Sequence, residues 1–278
     1  MKTRSFNPAL DDSLDCTLAG FAHFVKKRDK VSGNSSYTIS EKQTCFKMSM
    51  SKQTQCSFLR DYVKYTSYTE GRDKIYRTIQ YASRFVLWYL SRHGSQSSFQ
   101  QKVKNLESAI TTSRKLFRMA RCIDFALKAV DALRTTDEKL MIFSLIGSIG
   151  KAGWLVLDHA IWFGQIKVFT VESQRWAKIS YWLWLIGVTA LALRDLRKIS
   201  LLTAQAKRLK SDGEKGEKIA LKAEIEKARL EFLIDFSDAF IPLSALDFCS
   251  KGIGALGGVV ASVAGGYIAY EKNVLANR

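Results

Sequence analysis

The stretch "GIGALGGVVASVAGGYIAY" (residues 252–270) holds no charged residue. As a helix it would be roughly 28 Å long, close to the roughly 30 Å hydrocarbon core of a bilayer. Gly254, Gly258, Ser262 and Gly266 stand four apart, as do Gly257, Ala261, Gly265 and Ala269. In a water-soluble protein so many glycines would weaken the helix by about 1 kcal/mol each. In lipid the same ladder lets helix backbones approach closely. The stretch therefore reads as a transmembrane helix, with Gly254, Gly258, Ser262 and Gly266 as a helix–helix packing face that also suits self-association.

Two further apolar runs precede it. "ISYWLWLIGVTALAL" (179–193) is charge-free and bracketed by Arg175 and Lys178 before it and by Arg194, Arg197 and Lys198 after it. At roughly 22 Å it spans only if those basic residues snorkel. "LMIFSLIGSIGKAGWLVLDHAIWFG" (140–164) carries Lys151, Asp158 and His159, and a charge at a bilayer centre costs about 3 kcal/mol. It reads as a half-buried or interfacial helix pair. Residues 194–230 form a basic connector, with "SDGEKGE" predicting a turn between two helices.

Towards the N-terminus, "YTEGRDKIYRTIQYASRFVLWYL" (68–90) has Ile75, Ile79, Ala82, Val86 and Tyr89 on one helical face and Lys74, Arg77 and Arg84 on another. The first set is expected to pack against neighbouring helices or the membrane boundary, the second to face cytosol or lipid head groups. "SFQQKVKNLESAITTSRKLFRMA" (98–120) repeats the pattern, with Val103, Leu106, Ile110 and Phe117 on one side and Lys104, Lys115 and Arg118 opposite. Such a segment is either a bundle helix with a solvated basic face or a helix lying on lipid.

Over the whole chain of 278 residues the formal charge is +17 and the pI near 9.7, so the surface seeks anions, in nucleic acid or in acidic lipid. The six tryptophans cluster beside apolar runs, which suits a membrane interface better than a base-stacking surface. No nucleic-acid-binding module can be assembled, and no nucleic-acid partner is expected. Two prolines, Pro8 and Pro242, leave a long stretch free of helix breakers. The expected fold class is all-α, a membrane-associated helical bundle with amphipathic helices and one or two transmembrane helices. Its expected divisions are a mostly disordered N-terminal extension (1–57), an amphipathic-helix region (58–135) and a membrane-embedded region (136–278).

The residues that would carry chemistry do not converge. Cys16, Cys45, Cys56, Cys122 and Cys249 are an odd number at irregular spacing, which supports neither a disulfide framework nor a zinc site. His23, His93 and His159 belong to no metal motif. The neighbours Asp158 and His159 read as a hydrogen-bonded structural pair, with a proton relay as the lesser alternative. "GSIGKAG" (147–153) lacks phosphate-loop spacing. No catalytic residue, metal or cofactor is expected.

These segments together resemble the peroxin-11 family. "GRDKIYRTIQYASRFVLWYL" is similar to its N-terminal basic helix, and "RHGSQSSFQQKVKNLESAITTSRKLFRMAR" to the amphipathic region of its animal members. "LDHAIWFGQIKVF" matches a D-x-x-x-W-x-G stretch with Asp158, Trp162 and Gly164, and "DFSDAFIPLSALDF" the approach to the last membrane helix. The resemblance covers about residues 58–272. It implies a non-enzymatic protein of the peroxisomal membrane that bends and elongates that membrane, promoting peroxisome proliferation and fission. It also implies acidic phospholipid, further copies of the chain and fission machinery as partners. On that reading Val103, Leu106, Ile110 and Phe117 form the membrane-insertion face, and Lys104, Lys115 and Arg118 contact lipid head groups. The alternative, from a different functional class, is a pore or channel-like solute permeability protein of the peroxisomal membrane, with Lys151, Asp158 and His159 lining it.

Overall fold

The computed structural model describes residues 58–94, 98–209 and 215–276. The chain divides once, between Phe58 and Leu59, and the expected N-terminal extension lies outside the described residues. These residues form helices and no strand. They run as α1 (58–67), α2 (Thr69–Arg92), α3 (Ser98–Phe117), α4 (Arg121–Ala132), α5 (Glu138–Gln165), α6 (Ser173–Arg208), α7 (Lys215–Ala245) and α8 (Lys251–Tyr270), which continues as a π-helical turn over Glu271–Leu275.

Local chemistry sets several boundaries. Gly94, with φ +68, follows the end of α2, a backbone state that costs glycine least. Asp137 begins α5 by accepting from the Leu140 amide at 2.8 Å, and Ser250 begins α8 by accepting from the Ile253 amide at 3.3 Å; both satisfy an otherwise orphaned helix donor. Asp137 also pairs with Arg197 at 2.6 Å, tying the start of α5 to α6. The hydrogen bonds from Arg197 and the Leu140 amide hold the Asp137 carboxyl below its ordinary range.

Consecutive helices from α4 to α8 pack side by side, α8 then packs on α2, α2 on α3, and α3 returns to α5. Paired positions show the helix directions. Trp88, Tyr81 and Lys74 meet α8 at Gly252, Gly258 and Gly265, so α2 and α8 are antiparallel. Gly147, Gly150 and Gly153 meet α6 near Leu191, Gly187 and Leu183, so α5 and α6 are antiparallel too. The stretch expected as a helix pair at 140–164 is instead one continuous helix. Its charges are matched from neighbouring elements, Lys151 by Asp235 on α7 and Asp158 by Arg118 and Lys115, so nothing forces a break at mid-length. Three helical stretches, Glu138–Gln165, Ser173–Arg208 and Lys251–Leu275, are long and apolar enough to cross a membrane. The expectation was one or two.

Candidate functional site

The distinguishing feature of the unit is that a set of paired charges points inward while much of its apolar surface points outward. On α2, Tyr76, Ile79, Val86 and Tyr89 are exposed, while Asp73, Gln80, Tyr81 and Ser83 are buried. The basic face expected to meet cytosol or head groups is thereby turned inward, while the apolar face takes the membrane-boundary side of its two expected places. Arg77 turns inward to Asp238 of α7, and Arg84 reaches Glu107 of α3 at 2.7 Å. The reason is that α3 and α7 present the partners for its polar face, Glu107 and Arg114 from the one and Asp238 from the other. An apolar stripe turned away from the bundle fits a lipid surround, since lipid removes the drive to bury it. The outer faces of α5 (Ile142, Ile146, Ile149, Val156) and α8 (Ile253, Leu256, Val260, Val263, Tyr267) are exposed in the same way.

Inside, acids from distant segments meet bases. Arg114 of α3 binds Asp73 at 2.9 Å and also donates to Gln80; the two charged side chains are 5% and 7% exposed. Arg118 reaches Asp158 at 2.8 Å, and Lys115 lies 3.5 Å from the other oxygen of the same carboxylate. Lys151 binds Asp235 at 2.8 Å. Buried charges persist only when paired or hydrogen-bonded.

Two cavities flank this network. The larger, of about 770 Å³, opens where the C-terminal end of α2 meets the α5–α6 and α7–α8 turns, and its lining includes Arg84, Lys115, Asp158, Gln165 and Lys251. The smaller, of about 120 Å³, is lined by Asp73, Lys74, Arg77, Lys151 and Asp238 among others. Tyr81, Arg114, Arg118, Trp154 and Trp184 line both and form the septum between them. The two tryptophan rings stack at 4.4 Å, and the Arg118 guanidinium lies 5.2 Å from the Trp154 ring.

The residues singled out in the sequence fall unevenly on this frame. Val103, Ile110 and Phe117 are half-buried, with Phe117 stacked on Tyr76 of α2 at 5.9 Å, and Leu106 is exposed. Lys104 is exposed, whereas Lys115 is buried and Arg118 half-buried, both turned to Asp158 rather than outward. That is a correction to the head-group role expected of those two cations; its cause is the Asp158 carboxylate at the foot of α3. Asp158 and His159 do not pair with each other, because adjacent helical positions point about 100° apart. His159 is buried outside both cavity linings, and Lys151 and Asp158 line one each. In the glycine ladder, Gly254 lies against Ser244 of α7, Gly258 against the Tyr81 ring of α2, Ser262 is buried and Gly266 faces Tyr65. The ladder is covered within the chain.

Sequence reading missed Asp73, Gln80, Arg114, Asp235 and Asp238, the septum tryptophans, and the close crossing of α5 and α6 at Gly150 and Gly187. One signal was present: Asp73, Arg77, Gln80 and Arg84 recur at intervals of three and four, a polar stripe as regular as the apolar one. "GSIGKAG", discarded as a phosphate loop, supplies Gly147, Gly150 and Gly153 to that crossing.

Known proteins are similar to the chain along most of its length. The family model described as peroxisomal biogenesis factor 11 (PEX11) matches residues 59–270. Peroxisomal membrane protein 11B of Homo sapiens is 26% identical over 241 residues, covering 73% of this chain and 93% of the relative. Peroxisomal membrane protein 11A of Homo sapiens is 24% identical, covering 78% and 99%. Peroxisomal membrane protein PMP27 of Saccharomyces cerevisiae is 28% identical, covering 73% and 91%. No solved structure matches the chain. With a family match over residues 59–270 and three helices long and apolar enough to cross a bilayer, the chain belongs to the PEX11 family, non-enzymatic proteins of the peroxisomal membrane that act in peroxisome biogenesis.

Proposed function

We propose that this protein elongates and bends the peroxisomal membrane by laying amphipathic helices into one leaflet, and so promotes proliferation and fission. The observation that carries the reading is on α4. Ile123, Leu127 and Val130, followed by Leu133, are exposed at intervals of three and four, while Ala129 and Ala132 on the other side are buried. α4 packs on α5, a spanning candidate. An apolar stripe held beside a spanning helix enters the head-group boundary and widens one leaflet. Exposed Lys128 and Arg134 suit acidic phospholipid. On α3, exposed Leu106 and Lys104 offer a second apolar and basic contact, and Phe117 stacks on Tyr76 of α2. Self-association belongs to this reading and uses outward faces, because the glycine ladder is occupied. Recruitment of fission machinery follows by family resemblance.

The test is reconstitution of the full chain into liposomes containing acidic phospholipid, with electron microscopy of their shape. Wild type draws the liposomes into tubules, Leu127→Glu abolishes tubulation, and Leu106→Glu weakens it. Undiminished tubulation by a correctly inserted Leu127→Glu variant would overturn the assignment to α4.

A second reading, a solute pathway through the bundle, is favoured by the two cavities meeting back to back at one septum. Lys151 and Asp158 are then lining groups, and His159 is not.

A further inference from the structure

The larger cavity carries more positive charge than its structure neutralises. Arg84, Arg114, Lys115, Arg118 and Lys251 line it. Glu107 answers Arg84 and Asp73 answers Arg114, but Lys115 and Arg118 share the single carboxylate of Asp158. Lys251, exposed in the first turn of α8 at the mouth, has no ion pair among the described residues. Two positive charges are left over. The apolar exterior of the bundle keeps the surroundings at low dielectric, where unneutralised charge attracts an anion strongly.

Three features select the class of anion. Lys115 and Arg118 approach the two oxygens of one carboxylate, so they already hold an arrangement that presents cations to paired oxygens, as phosphate would require. A phosphate monoester carries about −1.5 to −2 charges at pH 7 and matches the excess, where a carboxylate would meet half of it. The volume of about 770 Å³ far exceeds a bare phosphate, and Trp88, Trp154, Ile161 and Ala255 supply apolar wall for an organic part.

We propose that this cavity binds an organic phosphate monoester, on a soluble molecule or as a lipid head group, with Lys115 and Arg118 as its principal ligands and Asp158 as the built-in anion it displaces. The site is separate from the α4 surface and requires no open pathway, so it stands whichever functional reading holds.

The experiment uses the full chain in phosphatidylcholine nanodiscs and follows the fluorescence of the tryptophans lining the cavity. In one arm inorganic phosphate is titrated; in the other, phosphatidate replaces part of the lipid. A saturable change in the first arm identifies a soluble ligand, and a change in the second alone identifies a lipid head group. Asp158→Asn tightens binding about tenfold by removing the competing charge, and Lys115→Gln weakens it about tenfold. Lys251→Gln, at an exposed position without an ion pair among the described residues, keeps the fold and lowers affinity about threefold. Absence of a saturable change in both arms overturns the proposal. So does weaker binding in Asp158→Asn, the result expected if that carboxylate only holds α3 to α5.

Discussion

At the residue scale the strongest commitment is the pair of Asp73 and Arg114. Both side chains are almost fully buried, and Arg114 also donates to Gln80, which in turn donates to Thr111. Such a pair adds little compared with apolar residues of the same shape, but removing one member strands the other charge. Asp73→Asn therefore costs about 3–5 kcal/mol, read as a large fall in thermal midpoint of the full chain in micelles. The double variant Asp73→Asn with Arg114→Gln recovers most of the loss, because no charge is left unpaired. If the single and double variants melt alike, the pair does not organise the interior. The sequence placed these residues 41 positions apart, on helices whose basic faces looked solvated. Nothing in either helix alone identifies its partner.

At the element scale, the register between helices rests on absent side chains as much as on present ones. A Cβ on Gly150 would stand 2.8 Å from the Gly187 Cα, and one on Gly187 would stand 3.0 Å from the Lys151 amide nitrogen. These are backbone atoms that cannot rotate away, so Gly187→Val forces α5 and α6 apart. Overpacking of this kind costs about 1–3 kcal/mol. Displacement of Trp184 from Trp154 would follow, visible as a change in near-ultraviolet circular dichroism. Gly216→Ala, whose added carbon would meet open space among the described residues, is the control and stays within about 1 kcal/mol of wild type. Equal behaviour of the two variants would mean that the crossing is looser than described. The apolar runs that become α5, α6 and α8 were visible as composition. The crossing was not, because glycines in "GSIGKAG" mark a close approach without saying what approaches.

At the scale of the whole molecule, helical periodicity was legible in the sequence and its direction was not. Ile79, Val86 and Tyr89 of α2 share one face and Arg77 and Arg84 another, a pattern that serves equally for charge facing water or for charge facing a polar interior inside lipid. Only the partners from α3, α7 and α8 decide between them, and they bring Asp238 and Glu107 to the charged face. The result is a bundle with two cavities inside, each lined in part by charged side chains and divided by Tyr81, Arg114, Arg118, Trp154 and Trp184. If that space is a solute pathway, the tryptophan rings stacked at 4.4 Å are its constriction, since they fill the septum where the two cavities meet. Trp184→Ala removes one of the two rings and joins the cavities. In planar bilayers this variant then conducts at least about tenfold more than wild type, while Trp184→Phe, which keeps a ring in place, does not. Lys151→Glu in the Trp184→Ala background shifts selectivity towards cations, because Lys151 lines the smaller cavity just beyond the septum. A folded Trp184→Ala protein conducting no more than wild type would show that the two cavities are not parts of one route, and the interior charge would then be left to hold the helices together.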